Sequence, residues 1–274
     1  MKVLALFHIK GGVGKTVSAV NLAYSSARGG ARTLLWDLDP QGSATFLLRI
    51  RPEVAGAARR LLHGEVELAE ALRGSDFEGL DVLPSDPRYR KWAEVLAREN
   101  GSTVGLSKIL APLAGEYEHV ILDCAPGLSP VSEVIFDAAD ALVIPTVPTP
   151  LSLRTLAQLM KHLKNRVHRP RPLPFFSMVD ARKTLHRSVC RWAAEQSLGF
   201  LGTEIPYSSL VEQMSVQRCP LAVLAPQDDA AGSFERLWSE ILACLEREDL
   251  GTSWKRSTRV ALDVLVRRDP SRAP

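Results

Sequence analysis

Short, continuous apolar runs recur along the chain with amphipathic stretches between them. The runs occupy residues 3–7, 33–36, 80–83, 120–122, 141–144 and 174–179, with a shorter one at 203–205. Runs that are apolar throughout, not alternating, suit strands buried on both faces. The stretches between them carry helical spacing. After residue 16, Val17, Val20, Tyr24 and Ala27 fall on one stripe that ends at Gly29-Gly30, a helix-stopping pair. From Leu151, a second stripe runs through Leu153, Leu156, Leu159, Met160, Leu163 and Val167, and a third takes Leu185, Val189 and Trp192. Strands alternating with helices predict an α/β fold: a doubly wound, mostly parallel sheet with helices on both faces. The pattern predicts one domain over residues 1–248, followed by a basic, irregular tail over 249–274.

Composition narrows the class without naming a partner. The 274 residues are 46% hydrophobic and 24% charged, which excludes collagen-like, disordered and disulfide-framework proteins. No apolar run is long enough to span a bilayer, and the N-terminus lacks the apolar core and cleavage site of a signal peptide. Cys124, Cys190, Cys219 and Cys244 are widely spaced and read as reduced thiols of a cytoplasmic protein.

The sharpest chemical signal follows the first strand: Ile9-Lys10-Gly11-Gly12-Val13-Gly14-Lys15-Thr16. A glycine loop between a strand and a helix, closed by Lys-Thr, is the setting of a phosphate-binding loop. The glycines allow backbone N–H groups to turn onto phosphate oxygens, and the helix N-terminus adds its positive dipole end. In such a loop Lys15 reaches the β/γ-phosphates of ATP and the Thr16 hydroxyl ligates Mg²⁺. Two carboxylates, Asp37 and Asp39, close the second apolar run ahead of Pro40-Gln41-Gly42. Period-2 geometry sends them to the same side, where they can hold metal-bound water or orient an attacking one. The run His119-Val120-Ile121-Leu122-Asp123 has the Walker B pattern, with Asp123 toward Mg²⁺. Gly127, in the turn that follows, offers a backbone N–H to the γ-phosphate.

Residues 10–16, KGGVGKT, resemble the deviant Walker A motif of the ParA/MinD family of P-loop ATPases at every position, and Asp37 to Thr45 resembles its ParA-form switch I, with Ser43 where Asn is usual. The resemblance implies that Lys10 reaches across an ATP-dependent sandwich homodimer to the partner's nucleotide. It implies that Asp39 positions the hydrolytic water while Asp37 supports the metal. Ile205-Pro206 matches the family's base-recognition loop, which assigns Pro206 to the nucleotide. Tyr207-Ser208 departs from the frequent Arg-Asn, and Val17 stands where Thr is usual, leaving its backbone N–H as the phosphate contact. The implied partners are nonspecific DNA of the nucleoid and a ParB-like or other adaptor that stimulates hydrolysis.

Charge is unevenly spread. Residues 1–150 hold 15 Lys/Arg against 18 Asp/Glu, whereas residues 151–274 hold 19 against 13. Arg154, Lys161 and His168 recur at seven-residue steps on one expected helix, and Lys183, Arg187 and Arg191 at four-residue steps on the next. Two basic helix faces suit contact with backbone phosphate without sequence readout. Arg218 joins them at the family's late basic position. Solvated surface charge is the competing reading of these residues. Residues 258–268 could form an amphipathic helix, but Arg268 interrupts its apolar arc, so packing or fraying is favoured over membrane binding. With the phosphate loop opening at Lys10, sequence specificity is expected from a partner, not from a preceding domain. The rival functions are a MinD-like membrane-cycling ATPase and a metabolic ATP-dependent enzyme of the same fold.

Overall fold

Strands that are apolar on both faces can be buried only inside a sheet covered on both sides. The computed structural model describes residues 1–51, 68–86, 105–164 and 166–247. Its strands are β1 (Lys2–Leu6), β2 (Thr33–Asp37), β3 (Arg73–Gly74), β4 (Leu80–Leu83), β5 (His119–Asp123), β6 (Ala141–Thr146) and β7 (Arg171–Phe176). They form a seven-stranded sheet in the order β3-β4-β2-β5-β1-β6-β7. All pairs are parallel except β3 with β4 at one edge.

The described helices are α1 (Lys15–Arg28), α2 (Ser43–Leu47), α3 (Leu68–Ala71), α4 (Gly105–Leu110), α5 (Pro130–Ala138), α6 (Pro150–Lys164), α7 (Thr184–Glu195), α8 (Leu210–Gln217), α9 (Leu221–Leu224) and α10 (Asp229–Glu246). Alternation along β1 divides them between two layers. Val3, Ala5 and Phe7 pack with α4, α5 and α6, whereas Leu4 and Leu6 pack with α1, α8 and α10. Helix α7 joins the first layer's edge through a smaller cluster of Leu153, Phe176, Val189, Ala193 and Leu198. The doubly wound expectation therefore holds. Because the six parallel strands point the same way, the loops leaving β1, β2, β5, β6 and β7 gather at one edge of the sheet, where such folds bind ligands.

Several local expectations are corrected. The last long run begins at Arg171 and stops at Phe176, because Met178 takes a left-handed backbone with φ 57°. The prolines Pro172 and Pro174 are tolerated because β7 is an edge strand, paired among the described residues only with β6. Residues 203–205 are not a strand. Leu201 and Ile205 donate their N–H groups to the carbonyls of Pro174 and Phe176, and a single bridge joins Val179 to Pro206. Proline lacks the N–H groups a continuous ladder along this edge would need.

Helix α6 ends at Lys164, so Val167, expected inward, is fully exposed, and His168 lies beyond the basic face it was expected to extend. In α7, Leu185 is exposed and the buried face is His186, Val189 and Ala193. The tail over 249–274 and its amphipathic stretch lie outside the described residues.

Candidate functional site at the C-terminal edge of the sheet

The phosphate loop occupies the turn from β1 to α1. Gly14 caps α1 at φ 92° and Gly12 lies at φ 69°, a region that L-residues with a Cβ avoid. At Gly14 space is also short, since a Cβ there would come within 2.9 Å of the Ser177 Oγ, with the Met178 Cε 3.7 Å away. The loop is anchored by Val13, whose side chain is buried, while Gly11 and Gly12 are exposed. Lys15 turns inward. It is buried, and burial lowers its pKa while Asp123 and Asp39 pull the other way. Lys10 is exposed, with its backbone N–H donated to the His8 Nδ1 at 2.9 Å. The two lysines of the motif therefore face different surroundings. Thr16 and Val17 are half-buried in the first turn of α1, where N–H groups have no partner within the helix.

Sheet register brings the carboxylates together. Asp37 ends β2 and Asp123 ends β5, and the two are directly paired across the sheet. Both are fully buried. Asp37 is held firmly: its Oδ2 accepts from the Thr45 N–H at 2.8 Å and the Thr45 hydroxyl at 2.7 Å, and its Oδ1 from the Asp39 N–H at 3.2 Å. Burial still pushes its pKa up to about 6, against the pull of these hydrogen bonds. Among the described residues no donor reaches full hydrogen-bond geometry at either Asp123 oxygen, although the Thr16 side chain lies close enough to favour the ionised form. Burial and then the Asp37 charge raise its pKa, with Thr16 and Lys15 the favourable neighbours. Asp39 is half-buried, and its Oδ1 accepts from the Gln41 N–H at 3.0 Å, so it also shapes the turn.

Buried carboxylate oxygens short of full hydrogen bonds are costly unless something charged meets them. Hard oxygen donors beside a threonine hydroxyl suit a divalent cation. Among the described residues no cluster of three His, Cys, Asp or Glu could hold an ion alone. Mg²⁺ takes one or two protein oxygens and completes its shell with phosphate and water.

Sequence reasoning missed the supports of this site. Thr45, at the start of α2, holds Asp37 and accepts from the Ser85 N–H at 2.9 Å, while the Ser85 hydroxyl donates to the Asp39 carbonyl at 2.5 Å. A threonine six residues beyond Asp39 was the available signal for one; Ser85 has none in local sequence. Gly127 is half-buried in the turn after β5, and Pro206 sits beside Val179 at the end of β7. Ser177 and Met178 connect that end to Gly14.

The basic residues divide into two groups. Arg154 and Lys161 are exposed on α6, and Arg187 and Arg191 on α7, with Lys183 just before it. These helices adjoin through Leu153, Val189 and Ala193. Lys183 lies 4.0 Å from Asp180, and Arg187 donates to the Ala181 carbonyl. Arg218 stands apart from both. Its Nε donates to the Phe46 carbonyl at 2.8 Å and its guanidinium lies 4.5 Å from that ring's centre, which ties α8 to α2.

Comparison with known proteins agrees with this geometry. A family model described as an AAA domain matches residues 1–171. The chain is 32% identical over 192 residues to the sporulation initiation inhibitor protein Soj of Bacillus subtilis, covering 67% of this chain and 75% of Soj. It is 35% identical over 159 residues to the chromosome partitioning protein ParA of Myxococcus xanthus, covering 58% of this chain and 56% of that one. The match likewise spans just 65% of the length of an uncharacterised Pseudomonas putida protein. Among solved structures, cobyrinic acid a,c-diamide synthase of Mycobacterium smegmatis, with a bound ATP analogue and magnesium, superposes with a TM-score of 0.74 at 26% identity, covering 88% of this chain and 94% of that one. By its phosphate loop, its paired carboxylates and these relatives, the chain belongs to the ParA/Soj family of partition ATPases.

Proposed function

We propose that this protein is a Mg²⁺-dependent ATPase that forms an ATP-bound sandwich homodimer, binds DNA without sequence preference and positions a plasmid, chromosome region or other large cargo. Hydrolysis, stimulated by a ParB-like or other adaptor, resets the cycle in the cytoplasm, on the nucleoid. The observation that carries this reading is the division between the motif's two lysines: Lys15 buried against Asp123, Lys10 exposed. A buried lysine serves the phosphates of its own subunit. An exposed one is free to serve those of a partner, as an arginine finger does.

The chemistry follows from the residues. Backbone N–H groups of residues 11–17 and the N-terminus of α1 hold the phosphates. Lys15, and Lys10 in trans, meet the negative charge that grows on the γ-phosphoryl oxygens. Asp39 orients the attacking water, and Gly127 supplies a further N–H. Mg²⁺, when bound through Thr16, Asp37 and Asp123, neutralises phosphate charge. Pro206 borders the base. Arg154, Lys161, Lys183, Arg187 and Arg191 present cations to DNA from adjacent helices, with Arg218 at a separate place on the surface.

The deciding experiment measures oligomeric state and DNA binding with ATP, ADP and no nucleotide at two salt concentrations. Dimers and DNA complexes are expected with ATP alone, with log affinity falling by about 0.9 per neutralised phosphate as log salt rises. ATP-loaded protein that stays monomeric and ignores DNA at low salt overturns the proposal. Asp39→Ala should retain the ATP dimer and its DNA complex while turnover falls; unchanged turnover removes that carboxylate from the mechanism. ATP-dependent pelleting with liposomes would favour the MinD-like alternative. Among the described residues no helix is long and apolar enough to cross a membrane.

A further inference from the structure

We infer that His8 is a positioning residue for Lys10: its imidazole holds the backbone amide from which the exposed lysine departs, and so sets where that side chain can reach. The inference rests on the proposed role of Lys10 in trans.

The local geometry is unusual for a core histidine. His8 is fully buried at the end of β1, two residues before an exposed lysine. Its Nδ1 accepts from the Lys10 N–H at 2.9 Å, and the ring also meets the Ser152 backbone of α6, although no donor–acceptor pair at Nε2 reaches full hydrogen-bond geometry among the described residues. An acceptor at Nδ1 puts the proton on Nε2, so the ring is a neutral tautomer. Burial, then the Lys15 charge, lowers its pKa to about 4, which keeps Nδ1 available as an acceptor near neutral pH. Lys10 acts in the same direction, and the charged groups acting on the ring are the loop's two lysines.

Packing alone does not account for this residue. An apolar side chain would fill the same space without a polar ring to take out of water. What an apolar side chain cannot supply is the acceptor. Between the two, Ile9 is partly buried against the cluster that contains α5 and α6. Ile9 thus pins the chain and His8 pins the next amide. The Lys10 side chain therefore leaves the loop from a fixed backbone, which limits the conformations it loses on meeting a partner's phosphates.

The test compares steady-state ATP turnover of the full chain with that of His8→Leu, His8→Asn, Lys10→Ala and the double variant His8→Leu/Lys10→Ala. Asn keeps an acceptor where Nδ1 lies; Leu removes it. His8→Leu is expected to lower kcat about tenfold, the worth of one well-placed hydrogen bond, with little change in KM. His8→Asn should restore most of that loss. In the Lys10→Ala background, His8→Leu should cost nothing further, because residues acting as one unit are not additive. Thermal melting checks that each variant folds, and His8→Met replaces His8→Leu if the latter does not. Equal loss from His8→Leu with and without Lys10, or an Asn variant as impaired as Leu, shows a merely structural histidine and overturns the inference. Unchanged turnover in Lys10→Ala instead overturns the reading of Lys10 on which it rests.

Discussion

The nucleotide edge and the basic face of α6 and α7 lie on the same fold but are specified in opposite ways. At the edge, each functional group is fixed by backbone: Asp37 and Asp123 by strand register, Lys15 by the first turn of a helix, Gly14 by a left-handed turn against Ser177. On the basic face, Arg154, Lys161, Arg187 and Arg191 are exposed cations on helix surfaces. A buried site tolerates few alternatives, because an unpaired charge or misplaced donor there is costly. A phosphate-binding surface acts through summed charge, so its members are interchangeable. One region should fail at a single substitution and the other should fade gradually.

The largest effect is expected at Lys15. Lys15→Ala should reduce ATP turnover about a hundredfold or more, the scale on which an oriented transition-state donor acts. A loss of only a few fold, in a steady-state assay, would remove the contrast between the two regions.

Asp123→Asn sharpens the comparison by separating stability from function. It removes a fully buried carboxylate that faces a second one across the sheet, so the nucleotide-free protein should melt higher, by about 3 °C for each kcal/mol gained in a domain of this size. Mg²⁺-dependent hydrolysis should be lost in the same variant. Calorimetry and a phosphate-release assay on one preparation check both halves.

Acidity should expose the same conflict more mildly. Asp37 has its pKa raised in the fold from the usual 3.8 to about 6. Between those values the native state binds more protons than the unfolded chain. Stability contributed by that protonation is therefore full at low pH and is lost as pH rises through about 6. Without Mg²⁺ the melting temperature of Asp37→Asn should accordingly lack the downward component that the parent shows from about pH 4 to about pH 6. Mg²⁺ and nucleotide should reverse the parent's trend by favouring the ionised form.

The smallest effects belong to the basic face. Arg187→Ala or Arg191→Ala alone should weaken DNA binding a few fold and reduce the salt slope by about 0.9. Combining them should add losses in proportion. Fluorescence anisotropy across a salt series reads both quantities, and an abolition of binding by one substitution would contradict the graded picture.

The same contrast explains what could be read from residues alone. The fold class, the phosphate loop, Asp37 and Asp123 were legible because buried strands and left-handed turns restrict which residues can stand there. Thr45 and Ser85 were not, since their contacts with Asp37 and Asp39 join segments brought together only by the fold. His8 was hidden because its polar atom faces its own chain two residues on. Helix ends were misjudged where apolar spacing ran past the true stop: Val167 kept the period of α6, but α6 ends at Lys164. Leu185 similarly fits an apolar stripe and yet is exposed, because His186 takes the inward position.

The prolines of β7 have a consequence for solubility. An exposed sheet edge is a template on which another chain's strand can add, and that hazard grows where many copies crowd together. Pro172 and Pro174 remove amide donors from the outer edge of β7, and the carbonyls of Pro174 and Phe176 are occupied by Leu201 and Ile205. This edge is closed to sheet extension, so crowding many copies together need not recruit them into a growing β-assembly through β7.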